Sequence, residues 1–394
     1  MNRRTALKTG SLAAIGVAFG GCATRTRQAA SARAPRPMVL LPPVKVSWDR
    51  VIRTTVGLRP FRPAGFVLRA DRLDDKTLIH NYGHGGSGWS LSWGTGYLAA
   101  EIALETPHRR AAVIGCGVVG LAAARLLQRR GFETTIYAAA VPPETTSNMA
   151  LAGFTPTSGL VDLSSRTPEW DAQFRRAVEI GYRQWQLLVG PHWGVTWVDN
   201  FSPTDDDRAA GGGNPLLPDT VRGARELLGP GEHPFPTRYA VRRQEMRYEP
   251  SIFLDAAVRD FLLFGGKIVV RRFSSAADLA TLAEPVIVNC TGLGSRDLVG
   301  DTALTPLKGQ LTVLIPQAEI HYSTTGGLGT QPNTPGGFVH MMPRTDGIVL
   351  GGTSERDVWT LEPNESERTR VIERHIELFG SLRTSRLPTS RLPT

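Results

Sequence analysis

The chain has 394 residues, 41% of them hydrophobic and 21% charged, the make-up of a globular protein with one large or two ordinary domains, which excludes wholesale disorder. No apolar run reaches the ~18 residues of a membrane-spanning helix, and three cysteines rule out a disulfide framework or a multi-cysteine zinc module, so no metal centre is expected. The net charge of +9 sits at the ends: residues 1–40 hold seven basic residues and no acid, the last fourteen hold Arg383, Arg386 and Arg391, and the other 35 basic residues face 36 acids. The body is thus nearly neutral and offers no basic face for nucleic acid.

In chain order, residues 2–8 are basic and polar and a small-residue apolar run follows to Gly21. That pattern predicts an export signal over residues 1–22. Arg3-Arg4 with Leu7 and Lys8 resembles a twin-arginine signal, and Phe19-Gly20-Gly21-Cys22 resembles a lipobox, with Cys22 as the lipid acceptor. The expected location is the periplasm or, through that lipid, the membrane surface. Residues 23–44, rich in Ala, Arg and Pro, read as a tether.

Two distinctive strings open the body, Val56-Gly57-Leu58-Arg59-Pro60-Phe61-Arg62-Pro63 and His80-Asn81-Tyr82-Gly83-His84-Gly85-Gly86-Ser87-Gly88-Trp89. Residues 94–104 then read as a helix. A strand over 111–114 runs into Gly115-Cys116-Gly117-Val118-Val119-Gly120, followed by a helix over 121–130 and a second strand over 132–137. Strand, G-x-G-x-x-G, helix and strand in this order predict a dinucleotide site. Gly115 allows the tight turn, Gly117 lets the backbone approach a pyrophosphate, and Gly120 lets the helix pack on the strand. The helix start, with Val118 and Val119, offers free N–H groups to phosphate. The acid that normally grips the ribose after the second strand is missing from Tyr137-Ala138-Ala139-Ala140, and Glu144 comes some residues late.

Trp185, Trp193 and Trp197 are expected in the core of the next region. A helix over 252–264 and a strand over 267–273, ending at Phe273, lead back to the cofactor. Residues 311–315 and 347–350 read as sheet strands, with a Gly-, Thr- and Pro-rich lid over 316–337 between them. Residues 365–379 read as a helix. SRLPT at 385–389 repeats as 390–394, and the tail over 381–394 is expected to be disordered.

Further segments carry an identification. Val288-Asn289-Cys290-Thr291-Gly292-Leu293-Gly294, Leu304-Thr305-Pro306-Leu307-Lys308-Gly309-Gln310-Leu311 and Thr145-Thr146-Ser147, with the two opening strings, resemble the D-amino-acid oxidase family over residues 45–380. The resemblance implies an α/β fold: a Rossmann-like FAD-binding domain joined to a mixed-sheet substrate domain. The opening strings normally lie near the family's C-terminus, so the order looks circularly permuted. The expected division is FAD-binding domain 45–153, substrate domain 154–287, FAD-binding segment 288–310, substrate domain and lid 311–352, and helical segment 353–380.

The resemblance also implies roles. FAD would be held by Gly115, Gly117, Val118, Val119, Gly120, Thr145, Thr146, Ser147, Phe273, Thr291 and Gly292, with Gly85, Gly86, Ser87, Gly88, Trp89 and Ser90 at the flavin ring. Arg59 would grip the substrate α-carboxylate with two parallel hydrogen bonds, beside Gly86. His340 stands where the family has a tyrosine, and its charge would change near neutral pH. A second family tyrosine falls on Gly336, and Tyr322 is the candidate to replace it. His80 and His84 are expected to be structural, and Cys116 and Cys290 to be buried packing residues. No catalytic side chain is assigned. The implied reaction is hydride transfer from Cα of a D-amino acid to FAD, with oxygen reoxidising the flavin to give peroxide. A glycine or secondary-amine oxidase, a D-aspartate oxidase and a non-catalytic flavin-binding protein remain open. Arg344 and His340 are the residues that would favour an acidic side chain.

Overall fold

Alternating apolar runs in this chain become two sheets, numbered here in chain order. The computed structural model describes residues 36–328 and 338–383. The export signal with Arg3, Arg4 and Cys22, most of the tether, the second half of the expected lid and the repeated tail lie outside the described residues.

The six-stranded sheet has the order β2 (Val67–Leu73), β3 (Lys76–Tyr82), β10 (Val286–Asn289), β4 (Arg110–Ile114), β5 (Glu133–Ala138) and β9 (Lys267–Val270). All its pairs are parallel except β2–β3. β10 is buried at every residue and β4 at all but its first, as expected of parallel strands covered on both faces. Helices α1 (Gly88–Leu104), α2 (Val118–Gln128), α3 (Pro168–Gln186) and α4 (Pro250–Leu263) belong with this sheet and the layer over it. α1 is buried almost all round, because it lies between the sheet, α2 and α3. A Cβ at Gly94 would strike the Ala177 carbonyl, so α1 and α3 cross backbone to backbone. α3 begins with Thr167 accepting from Trp170 N–H, Pro168 at its first position and two acids in the first turn, all favourable at a helix start. Two short helices, α5 (Ala276–Ala280) and α6 (Ser295–Leu298), flank β10 in sequence.

The nine-stranded sheet has the order β1 (Val51–Phe61), β11 (Thr305–Leu314), β14 (Gly347–Gly351), β13 (His340–Arg344), β12 (Tyr322–Thr325), β6 (Val195–Thr204), β8 (Tyr239–Tyr248) and β7 (Arg225–Leu228), with β15 (Glu355–Arg356) on β11. Its pairs are antiparallel except β12–β6. Helix α7 (Glu365–Gly380), capped by Asn364, packs on β11 and β14. An aromatic stack joins the layers: Trp185 lies 4.1 Å from Tyr248 between ring centroids, and its indole N–H donates to the Trp89 carbonyl.

Several expected boundaries are corrected. β1 pairs with β11 over nearly its whole length, so this part of 45–153 belongs to the substrate-side sheet. β9 lies within 154–287 yet completes the parallel sheet beside β5. β11 runs through the expected division at 310/311 without a break. The first half of the expected lid is not a lid: Gln317 is tied in both directions to the Lys45 backbone, and β12 sits inside the sheet. Trp185 is fully buried, but Trp197 is 38% exposed and does not belong to the core.

Candidate functional site

The carboxyl ends of β4, β5 and β10 open onto a cavity of about 1450 Å³ that reaches the face of the nine-stranded sheet. At the first end the chain leaves β4 through Gly115, which has φ +112° and sits so close to β10 that a Cβ would stand 2.6 Å from the Cys290 carbonyl. A Cβ on Gly120 would strike the Gly115 carbonyl, so only glycine lets α2 start this close to the turn. Gly115, Gly117, Val118 and Val119 line the cavity, whereas Gly120 only packs behind them. Thr145, Thr146 and Ser147 line it too, and Ser147 Oγ accepts from Val118 N–H at 3.0 Å. Thr291 and Gly292 close the opposite wall; Thr291 Oγ1 donates to Asn289 Oδ1 at 2.8 Å. An exposed-backbone turn at a helix N-terminus is what a pyrophosphate needs, so this end fits a dinucleotide. Beyond it, Ala138, Ala139 and Ala140 offer no acid. Glu144, Arg271, Arg272 and Phe273 line that part, with the Arg271 guanidinium 4.5 Å over the Phe273 ring.

Gly85, Gly86, Gly88 and Trp89 form the middle of the cavity. A Cβ on Gly86 would lie 2.6 Å from the Ser158 carbonyl, so this loop is pressed against residues 155–160. Trp89 Nε1 donates to the Ser147 carbonyl. Ser87 and Ser90 do not line the cavity. Ser87 Oγ donates to the Thr155 and Ser158 carbonyls, and Ser90 Oγ accepts from Thr155 N–H, so their side chains hold the loop instead. His84 is buried against Thr95 Oγ1 at 3.1 Å, and burial pushes its pKa down to about 3. His80 Nε2 meets Asp71. Burial pushes the Cys116 thiol up to about 12 and raises Cys290 as well, so both stay protonated and inert.

At the far end lies Arg59, whose guanidinium is laid over Gly309. Its Nε donates to the Leu307 carbonyl at 2.9 Å, and Nη2 reaches the Lys308 and Thr353 carbonyls and Ser354 Oγ, each at 3.3 Å. None of these partners is a carboxylate. Burial lowers its pKa to about 10, which still leaves a cation at neutral pH. His340 lies over Gly351, the glycine opposite it in β14, and its Nε2 is buried with no partner among the described residues. Burial, with His375 and Arg59 adding to it, pushes His340 down to about 3. The imidazole is therefore neutral at physiological pH, contrary to the expected charge change there.

Two further expectations fail. Tyr322 does not line the cavity: it is buried on the other side of β12, edge-on to Phe201, and its hydroxyl donates to the Pro42 carbonyl. Alternation places successive side chains on opposite faces, and Tyr322 falls on the wrong one. Arg344 is also held away, in two hydrogen bonds to Asp346 and one to the Ala150 carbonyl. The cavity instead takes Arg243 and Glu245 from β8, with Thr325 from β12 and Met342 from β13. In sequence Arg243 is one of three charged residues in Arg242-Arg243-Gln244-Glu245, and no local pattern tells which of them faces inward.

A Gly-rich turn on a parallel sheet, continuous with a cavity whose far end holds a guanidinium with no carboxylate partner among the described residues, fits a dinucleotide-dependent enzyme. The family described as FAD dependent oxidoreductase matches residues 23–102 and 110–390, and the chain belongs to that family, with FAD as its cofactor. D-amino-acid oxidase from Rubrobacter xylanophilus is 30% identical over 283 residues, 71% of this chain and 79% of its own. D-aspartate oxidase from Homo sapiens is 27% identical over 281 residues, 69% and 76% of the two chains. Among solved structures, glycine oxidase from Geobacillus kaustophilus shares the fold with a TM-score of 0.50 at 15% identity, over 71% of this chain and 81% of its own.

Proposed function

We propose that this protein oxidises D-amino acids, with oxygen as the final acceptor, to imino acid and hydrogen peroxide. Arg59 carries the reading. It is a preorganised cation at the end of the cavity remote from the dinucleotide turn, anchored by carbonyls on one side, and a carboxylate is the ligand that matches its fork. Bound FAD supplies the two-electron acceptor. The substrate loses a hydride from Cα and a proton from nitrogen, and oxygen takes up two electrons and two protons as peroxide. The chain's own work is grip and orientation. Arg59 holds the carboxylate, neutral His340 offers one hydrogen bond beside it, and the loop over Gly85–Gly88 backs the ring. The relatives named for D-amino-acid and D-aspartate oxidation support the same reading.

The test is a peroxide-release screen of the FAD-loaded protein over D- and L-amino acids, glycine and sarcosine. Turnover confined to D-amino acids is expected. A preference for glycine, sarcosine or L-amino acids would assign another amine-oxidase activity, and flavin absorbance without any turnover would mark a binding protein.

A further inference from the structure

We propose that the amino-terminal edge of the parallel sheet docks on an anionic phospholipid surface, with Leu262 and Leu263 entering the bilayer and Arg109, Arg110, Arg129 and Arg130 meeting lipid phosphates. The inference goes beyond the oxidase reading and does not depend on it. β4, β5 and β9 run parallel, so their first residues share one edge, at the opposite end of the strands from the cavity. Three chain passages are tied together there. The Arg109 carbonyl accepts from Glu133 N–H at 2.8 Å, Gln128 Nε2 donates to the Phe261 and Phe264 carbonyls, and Lys267 Nζ lies 3.7 Å from Glu133 Oε1. The turn from α4 to β9 is fixed by its own backbone: Gly266 N–H donates to the Phe261 carbonyl at 3.1 Å, and Gly265 takes φ +79°. It holds Leu262 and Leu263 outward, 46% and 81% exposed, while Arg125 stacks 3.8 Å over the Phe264 ring.

Charge decides the occupant. The near-neutral total of the body conceals this cluster, whose arginines come as two pairs from separate helix–strand links. Arg109, Arg110 and Arg130 donate to backbone carbonyls and Arg129 to Gln184 Oε1. Among the described residues none of the four meets a carboxylate. The nearby acids are already engaged: Glu133 with Lys267, Asp260 with Arg125 and Asp255 with Arg259. Glu105 is the exposed acid left to face the arginines, and Asp74 and Asp75 stand two strands away, before β3. The carboxyl ends of α1, α2 and α4 offset about half a charge each, so the edge stays positive. A second copy of the chain is a poor occupant. Like charges would face each other, and two leucines do not supply the ~800 Å² per partner of a stable interface. An anionic bilayer fits a projecting apolar tip beside free guanidiniums, because phosphate matches the guanidinium fork and leucine enters the acyl boundary.

Flotation of the full-length, FAD-loaded chain with phosphatidylcholine vesicles, with and without phosphatidylglycerol, tests this. Wild type should bind the anionic vesicles about tenfold more tightly than the neutral ones, and the preference should shrink at high salt. Arg129→Gln with Arg130→Gln should lose about 10- to 30-fold, close to fivefold per arginine, and Arg109→Gln with Arg110→Gln should lose as much. Leu263→Asp, at a position too exposed to disturb the fold, should lose about tenfold. The N-terminal residues are the same in every variant, so the differences belong to the edge, and flavin absorbance confirms that each variant is folded. A second readout is local. Leu263→Cys in a Cys22→Ser background, labelled with an environment-sensitive dye and read against the labelled Cys22→Ser parent, should shift to the blue on anionic vesicles. Equal binding by wild type and all variants, no preference for anionic vesicles, or an unshifted dye would overturn the proposal. A dimer that Leu263→Asp dissociates would assign the edge to a second copy instead, and duplex DNA bound through the four arginines in place of vesicles would assign it to nucleic acid.

Discussion

Replacing Arg59 by alanine removes the guanidinium laid over Gly309 at the His340 end of the cavity. The side chain is anchored through Nε and Nη2 to three carbonyls and one hydroxyl, so little conformational entropy remains to be lost when substrate arrives. Arg59 is half-buried, and burial lowers its pKa to about 10, so a carboxylate meets a partly desolvated cation. Removing one charge-assisted bidentate interaction in such a setting costs about 2–4 kcal/mol, or roughly 30- to 1,000-fold in kcat/KM. Arg59→Lys keeps the charge and loses the fork, and should fall between alanine and wild type. The assay is peroxide release from D-alanine and from D-alaninol, which lacks the carboxylate, with flavin absorbance recorded on the same samples. Only the D-alanine rate should collapse, and FAD content should hold. A loss shared equally by both compounds, or below threefold on D-alanine, would mean that the carboxylate is held elsewhere.

Two other outcomes are expected. His84, His340 and His375 are all pushed down by burial, to about 3, 3 and 4, while an unfolded histidine titrates near ~6.5. Below that value the unfolded chain binds protons that the folded chain refuses, so stability is full above pH ~6.5 and falls on acidification, by roughly 2 kcal/mol per histidine between pH 7 and pH 5. Denaturant titrations at the two pH values measure this, and His375→Phe should remove about a third of the slope; an unchanged slope would show that these imidazoles titrate normally. We also propose that Arg3 and Arg4 direct export of the folded, FAD-loaded chain. Replacing both by lysine should leave the protein in the cytoplasm, and its normal appearance in the periplasm would refute the twin-arginine assignment.

The dinucleotide end could be read from sequence because its chemistry is local. Gly115, Gly117 and Gly120 fall within one six-residue motif, and each acts within one turn: a positive φ at Gly115, a carbonyl pressed on Gly120. The helix of the Gly85–Gly88 segment was also recognisable, although α1 starts at Gly88 and not at 94. Its first turns pack backbone to backbone on α3 at Ser90 and Gly94, a contact that no local pattern records. Domain limits were less accessible. β1 is not picked out as a strand in the sequence, and the sheet it joins depends on β11, some 250 residues later.

The substrate end is the part that sequence left least determined, because there the deciding quantity is which face of a strand turns inward. A one-residue change of parity exchanges cavity for core. Tyr322 and Thr325 are three residues apart in β12, and the first is buried under Phe201 while the second lines the cavity. Parity does not explain Arg344, which ends β13 on the same face as His340 and Met342. It looks like the reader of an acidic side chain, yet Asp346, two residues on, takes two of its hydrogen bonds. Arg243 sits in an unremarked charged run, and its position across from Asn200, whose amide also reaches the residue facing His340, puts it on the cavity face. Which side chains reach this cavity is therefore set by cross-strand register. A substitution that shifted β8 by one residue would exchange Arg243 for Arg242 or Gln244 at the cavity and change the charge lining it without touching any recognisable motif.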